Sequence, residues 1–200
     1  GALFAAELTD VSREIVRARL TERLDSKESP AFLTLYMGYP KAEKLELIAQ
    51  KLTELGASRI VPVVMARSVA RPDAKDASKK RERLERIALE AAKQCGRGRV
   101  PEIAAPMSWK QALDDMAERK LMLVPWEDAR GATLGGVHEA RPGETDIGLL
   151  IGPEGGIGAE EIADAERIGA LPVTLGPRIL RAETAAIASA AVVMALWGDV

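Results

Sequence analysis

Strand-length runs that are mostly apolar, separated by segments of helical period, fill residues 31–200 and restrict the fold more than any other feature. Residues 31–37, 59–65, 121–124, 147–151 and 171–175 are five such runs. The later ones do not alternate apolar with polar, so both faces of those strands must be covered. Between them, residues 41–55 carry Leu45, Ile48, Leu52 and Leu55 at helical spacing, and Gly56 is a C-terminal stop. Residues 79–95 place Leu84, Ile87, Ala88 and Ala91 inward before Gly96. Ser108 can cap a helix reaching about Arg119, with Trp109, Leu113 and Met116 on one face. Residues 159–169 are helical, with Glu160 and Glu161 suited to the positive N-terminal end, and residues 182–197 form a closing helix. The pattern predicts an α/β domain, a parallel sheet with helices on both faces. No internal repeat or low-complexity tract interrupts it.

The first 24 residues follow another rule. Residues 3–8 and 15–20 read as short strands, and in the second Val16, Ala18 and Leu20 alternate with Arg17 and Arg19. Two strands do not make a stable sheet alone, so this is expected to be the end of a small β domain. The chain starts at Gly1 and runs straight into apolar residues, which suggests that its start is not the native one. Residues 25–30 are polar and turn-like, and form the candidate linker.

Composition excludes several classes. With 47% hydrophobic and 29% charged residues in 200, wholesale disorder and a collagen-like chain are ruled out. The longest mostly apolar stretch, residues 185–197, is shorter than the ~20 residues a membrane-spanning helix needs. The single cysteine, Cys95, forbids an intramolecular disulfide and fits a reducing compartment. With His138 as the one histidine, a Cys/His zinc site within the chain is excluded, and no metal is expected. No basic n-region or cleavage site marks a signal peptide, and the expected location is cytoplasmic.

Net charge is −2, but residues 67–99 carry eleven basic side chains against five acidic, and residues 100–200 carry eight against sixteen. A basic middle on an acidic protein suggests a localised contact with a polyanion. A solvated helix with i,i+4 pairs such as Glu82 with Arg86 fits the same residues. His138 lies in a polar, Gly-rich stretch and reads as surface or loop.

In open parallel sheets, ligands bind beyond the carboxyl ends of the strands. Three such ends hold unusual residues. The first is Leu123-Val-Pro-Trp-Glu127. The second is Leu150-Ile-Gly-Pro-Glu-Gly-Gly-Ile-Gly158, where glycines let backbone approach a ligand and free amides suit an anion. It fails the G-x-G-x-x-G dinucleotide fingerprint, because Glu161 stands where the last glycine belongs; no G-K-[ST] phosphate loop exists either. A tight turn that merely connects strand to helix fits it as well. The third is Leu175-Gly-Pro-Arg-Ile-Leu-Arg-Ala-Glu-Thr-Ala185, whose Arg178 and Arg181 suit an anionic substrate, or pair on the surface with Glu183.

Ile151-Gly-Pro-Glu-Gly-Gly156 together with Leu175-Gly-Pro-Arg-Ile-Leu-Arg-Ala-Glu-Thr-Ala185 closely resembles the RsmE family, the small-subunit ribosomal RNA (uracil-N3) methyltransferases of the SPOUT superfamily. Lys41, Lys44 and Gln50-Lys-Leu-Thr-Glu-Leu-Gly56 resemble the family's first helix. Arg67-Ser68 and Glu90-Ala-Ala-Lys-Gln-Cys-Gly-Arg-Gly-Arg-Val-Pro101 resemble its central motifs. The likeness runs from about Asp25 to Val200.

The resemblance implies a parallel α/β sheet with a C-terminal trefoil knot, residues 25–200, preceded in residues 1–24 by part of a PUA-like β-barrel. It implies S-adenosylmethionine as cofactor, held by three loops: Leu123, Val124, Pro125 and Trp126; Ile151, Gly152, Pro153, Glu154 and Gly155; Leu175, Gly176, Ile179, Leu180 and Arg181. It implies 16S ribosomal RNA or a small-subunit particle as partner, and a homodimer with the closing helix in the interface. Ala185, Ala188, Ala190 and Ala191 make that helix flat; a helix buried in its own domain fits them equally.

Methyl transfer to uracil N3 requires loss of the N3 proton, so the site must favour the delocalised anion. Arg181 is the first choice to stabilise it and Arg178 the second. Glu183, Glu154 or water is the candidate base; Glu183 ranks low, because the first turn of a helix beside arginines lowers its pKa, and its expected role is to orient Arg181. Lys41, Lys44, Arg67, Arg71, Arg97 and Arg99 are expected to track RNA phosphates. Three other readings stay open: a knotted methyltransferase with another RNA base or a ribose 2′-hydroxyl as acceptor, a non-catalytic RNA-binding ribosome-assembly protein, and a nucleotide-dependent oxidoreductase, which the broken fingerprint disfavours.

Overall fold

The computed structural model describes residues 3–25, 28–69, 71 and 73–200. Strands β1 (Leu3–Val11) and β2 (Val16–Leu24) form an antiparallel hairpin that pairs with no other strand. Then follow β3 (Phe32–Gly38), α1 (Ala42–Glu54), β4 (Arg59–Val64), α2 (Ala74–Cys95), β5 (Glu102–Ile103), β6 (Met107–Ser108), α3 (Trp109–Met116) and β7 (Leu121–Pro125). The chain ends with α4 (Leu134–Ala140), β8 (Asp146–Ile151), α5 (Ala159–Arg167), β9 (Leu171–Val173) and α6 (Ala182–Trp197). The second sheet is parallel throughout, in the order β5-β4-β3-β8-β7-β9, with β6 added to β4.

The continuous apolar runs produce two cores, because successive side chains of a strand point to opposite faces. Leu33, Leu35, Met37, Leu121, Leu123, Ile147, Leu149 and Ile151 face one way, onto α1, α2, α4 and α6. Tyr36, Val61, Val63, Met122, Val124 and Leu150 face the other, onto α3 and α5. The two middle strands are in register from Phe32↔Asp146 to Met37↔Ile151, so their carboxyl ends lie side by side. β8 enters between β3 and β7, and β9 follows on the far side of β7. Chain reversals of this kind leave a crevice at the carboxyl rim.

Several elements differ from the sequence expectation. α2 starts at Ala74 rather than residue 79, because the Asp73 carboxylate accepts from Asp76 N–H at 2.8 Å and caps the helix there. α4 was not anticipated; the Gly135-Gly136 pair argues against a helix, yet Thr133 accepts from Gly136 N–H at 3.1 Å and its Leu134 and Val137 reach the core. His138 is therefore not a loop residue. It sits in α4, half-buried, edge-on to Trp197 with ring centroids 4.8 Å apart. Of the linker expected over residues 25–30, Ser26 and Lys27 lie outside the described residues. Among the described residues no helix is long and apolar enough to cross a membrane.

Candidate active site

At the carboxyl rim, the ends of β7 and β8 and the segment after β9 face a common hollow. Its main chamber, about 340 Å³, is lined by Pro125 and Glu127, by Ile151, Gly152, Pro153, Glu154, Gly155, Gly156 and Ile157, and by Ile179, Leu180 and Arg181. Lys44, Ala182 and Ala185 close it. An annex of about 70 Å³ shares Pro125, Glu127, Ile179, Leu180 and Ala185 and adds Trp126, Leu175, Gly176 and Arg178. A more open groove of about 830 Å³ runs between α1 and α2 and contains none of the carboxyl-end motifs. Of the loop residues expected to hold a cofactor, only Leu123 and Val124 stay out of the hollow. Their side chains are fully buried, one in each core, beneath the rim.

Close backbone approach explains the glycines of the second loop. A side chain on Gly152 would meet Ile157 Cγ1 at 2.7 Å. Gly156 has φ +73° and donates its N–H to Pro153 O at 2.9 Å, closing the turn. From the β4 side, Arg67 Nη1 donates to Gly155 O at 3.1 Å. Glu161, buried in the first turn of α5, fixes the exit of the loop: it accepts from Gly158 N–H at 2.9 Å and from Ala66 N–H at 2.8 Å. The residue that breaks the dinucleotide fingerprint is thus a cap. The first and third loops are tied together, since Trp126 N–H donates to Val173 O at 3.1 Å.

Charge in the hollow is arranged around Lys44. Its Nζ lies 3.0 Å from Glu183 Oε2 and 3.4 Å from Glu154 Oε1. The Glu183 carboxyl is held below the ordinary carboxylate range, first by its own backbone N–H in the first turn of α6, then by Lys44 and Arg181, with burial opposing. Burial raises the Glu154 carboxyl, but its own N–H, that of Lys41 and the Lys44 ammonium together bring it below the usual range. The ion-pair partner of Glu183 is Lys44 rather than Arg181, the residue the sequence suggested it would orient. Arg178 and Arg181 are exposed and make no salt bridge among the described residues. Beside them Ile179 is 86% exposed.

The residues expected to track RNA divide. Lys41, Arg67, Arg71 and Arg99 are exposed. Lys44 is engaged inside the hollow. Arg97 is a correction: it is buried, pairs with Glu28 at 2.7 Å, and donates Nη1 to Thr53 O and Ala57 O at 2.9 Å each. Its guanidinium cannot reach a phosphate without breaking that cluster. Glu127 and Lys44 were the lining residues that the reasoning from motifs undervalued. Glu127 stood at the edge of its motif, and nothing local to α1 indicates that Lys44 turns toward β8 and α6.

Fold and hollow together define an RNA methyltransferase domain, and the family model of that description matches residues 27–194. The chain is 36% identical over 184 residues to the ribosomal RNA small subunit methyltransferase E of Bacillus subtilis (strain 168), covering 90% of this chain and 72% of that protein. It superposes with TM-score 0.88 and 33% identity on a ribosomal RNA small subunit methyltransferase E from Neisseria gonorrhoeae bound to S-adenosyl methionine, covering 100% of this chain and 81% of that one. A Legionella pneumophila protein in complex with the bound cofactor SAM gives TM-score 0.87 at 34% identity, covering 98% and 80%. The chain belongs to the ribosomal RNA small subunit methyltransferase E family.

Proposed function

We propose that this chain transfers a methyl group from S-adenosylmethionine to N3 of one uridine in 16S ribosomal RNA. The observation that carries the reading is the convergence of three carboxyl-end segments on a single hollow flanked by two exposed arginines. The residues present fit the cofactor. Ile151, Ile157 and Leu180 offer apolar walls, the glycine turn offers backbone groups, and the Glu127 and Glu154 carboxylates suit a ligand with a positive centre. When bound, S-adenosylmethionine supplies a methyl group on a cationic sulfur, open to attack by a nucleophile.

The chain's own residues then have distinct tasks. Uracil N3 becomes nucleophilic only on losing its proton, and Arg181, permanently cationic and at the hollow's edge, stabilises the resulting anion. Arg178, one turn of chain earlier, is the second donor. Glu183 is held by Lys44 with its carboxyl below the ordinary range, so it is a weak proton acceptor, and the N3 proton passes to water. Leu180, between the arginines, gives the hollow an apolar wall, while Ile179 beside it faces solvent.

Around this site we infer a C-terminal trefoil knot of the SPOUT type, supported by the insertion of β8 between β3 and β7. The methyltransferase domain spans residues 25–200, and the β1–β2 hairpin in residues 1–24 is part of a PUA-like domain. Its apolar side chains Leu8, Val16 and Leu20 are more than 60% exposed, as expected of strands that pack against a further surface. The active unit is a homodimer in the cytoplasm. Support comes from α6, which is apolar on nearly every side and leaves Val192 exposed. Lys41, Arg67, Arg71 and Arg99 contact the RNA backbone.

Calorimetric titration with S-adenosylmethionine, followed by mass-spectrometric mapping of the methylated nucleotide in 16S RNA, tests the proposal. Binding and an N3-methyluridine are expected. A methyl on ribose or another base would assign a different acceptor, and no cofactor binding would contradict the reading.

A further inference from the structure

Lys44 occupies an unfavourable place for a cation. It is in the first turn of α1, where the helix dipole presents its positive end. Glu43 in the same turn suits the dipole, but no side chain of α1 forms an ion pair with Lys44 among the described residues. The compensation comes from two distant segments: Glu154 in the turn after β8 and Glu183 in the first turn of α6 converge on the one nitrogen, at 3.4 and 3.0 Å. The backbone N–H of Lys41 also donates to Glu154 Oε1 at 3.3 Å, so the start of α1 grips that carboxylate twice. The three side chains are 27%, 23% and 15% exposed, which sets them apart from the freely solvated pairs that contribute little. Glu183 Oε2 is shut off from solvent and accepts no well-aligned hydrogen bond among the described residues. The Lys44 ammonium is therefore its charge compensation. Without that cation the two partly exposed carboxylates would repel each other across the hollow, which favours separation of the two loops.

We propose that Lys44 is a positioning residue: through Glu154 and Glu183 it holds the second and third loops of the hollow at one fixed separation before any ligand arrives. The proposal rests on the reading of the hollow as the methyl-donor site, which both loops must line at once. It replaces the sequence expectation that Lys44 meets RNA phosphate. The reaction needs no contact between Lys44 and either substrate, since the effect is transmitted through the two carboxylates. Its consequence falls on cofactor affinity, because a pre-set cradle avoids the cost of ordering loops on binding.

The test uses the full chain as wild type, Lys44→Met, Lys44→Arg and Glu183→Gln. Three quantities are measured: S-adenosylmethionine affinity by calorimetry, kcat and KM for methylation, and amide hydrogen exchange of the ligand-free protein. Lys44→Met is expected to weaken cofactor binding about tenfold, with KM rising more than kcat falls. Lys44→Arg should recover most of the loss, because it keeps the charge. Exchange should quicken in residues 152–157 and 179–184 together. Glu183→Gln should loosen the same two segments, which keeps the proposal testable if Lys44→Met does not fold. Unchanged affinity and exchange in Lys44→Met would overturn it. So would an equal loss in Lys44→Arg, or a loss confined to RNA affinity with its salt slope reduced by about 1, which marks a phosphate contact. If the wild type binds no S-adenosylmethionine, the methyl-donor reading fails, while the ligand-free exchange still decides whether the bridge exists.

Discussion

Toward the amino ends of the strands, Arg59 donates to both oxygens of Asp115, at 2.7 and 2.9 Å; Tyr36 donates its hydroxyl to the same carboxylate, and Arg119 meets Asp146 at 3.0 Å. Toward the carboxyl ends, Arg178 and Arg181 stand exposed without an ion pair among the described residues, next to an isoleucine in open solvent. The two rims of one sheet use arginine in opposite ways. At the first, guanidinium and carboxylate pair under partial burial, although Arg59 Nε and Arg119 Nε donate no hydrogen bond among the described residues, so charge secures the α3–β4 packing. At the second, these two arginines have no carboxylate partner among the described residues, and the loops are tied instead by Lys44 with Glu154 and Glu183 and by backbone contacts around glycines. Violations of local consistency collect where a ligand is to complete the structure.

The sharpest way to break this contrast is to delete one charged side chain at each rim's centre of action. Arg181→Ala should lower methylation by about 10²–10³-fold while S-adenosylmethionine affinity stays within a few-fold, measured by tritium transfer and calorimetry. A variant that methylates at the parent rate would remove Arg181 from the reaction. At the other rim, Asp115→Ala should cost about 2–4 kcal/mol in denaturant unfolding, because it leaves Arg59 partly buried without its carboxylate. Its kcat, measured well below the melting temperature, should stay near the parent value.

The same carboxylate sets a pH dependence. Burial raises the Asp115 carboxyl, but the Tyr36 hydroxyl and the Arg59 and Arg119 guanidinium groups prevail and hold it below its ordinary value of 3.8. Its folded pKa is thus depressed, so its contribution is complete above the ordinary carboxylate range and is lost as pH falls through the folded value. Asp115→Asn should flatten that part of the acid limb in a stability-against-pH curve. A curve of unchanged shape would deny Asp115 this role.

A smaller effect separates the rims by backbone. Gly156→Ala must accept φ +73° and place a methyl 2.9 Å from Glu127 Oε1. A stability loss of about 1–2 kcal/mol and weaker cofactor binding are expected. Gly143→Ala, with open space around it, should do neither. The smallest effect concerns the basic middle of the chain. Arg99→Ala should reduce the salt slope of RNA binding by about 1 with little change in stability, whereas Arg97→Ala should lower the melting temperature and leave the slope unchanged.

Much of the scaffold is legible in the sequence, because burial on both faces leaves strands with unbroken apolar runs and helices with a 3.6-residue stripe. The order of β3, α1, β4, β7, β8, α5, β9 and α6 follows from those periods alone. Short or glycine-bearing elements do not. α4 has one turn of core contacts and two glycines, so its period is too brief to read, and β5 and β6 are two residues each. For the site, the glycine turn and the arginine bend are visible as motifs because local backbone geometry demands them. The partners of Arg97 and Lys44 are not, since each meets its carboxylate across the fold and charge alone does not say whether a side chain turns in or out.

The proposed receptor is three loops acting together at the carboxyl rim. Hydrogen exchange of the full chain with and without saturating S-adenosylmethionine measures this directly. Protection should rise together in residues 123–127, 151–157 and 175–181, and stay unchanged around Asp115 and in the β1–β2 hairpin. Protection of one of these loops alone, or of a surface elsewhere, would contradict it.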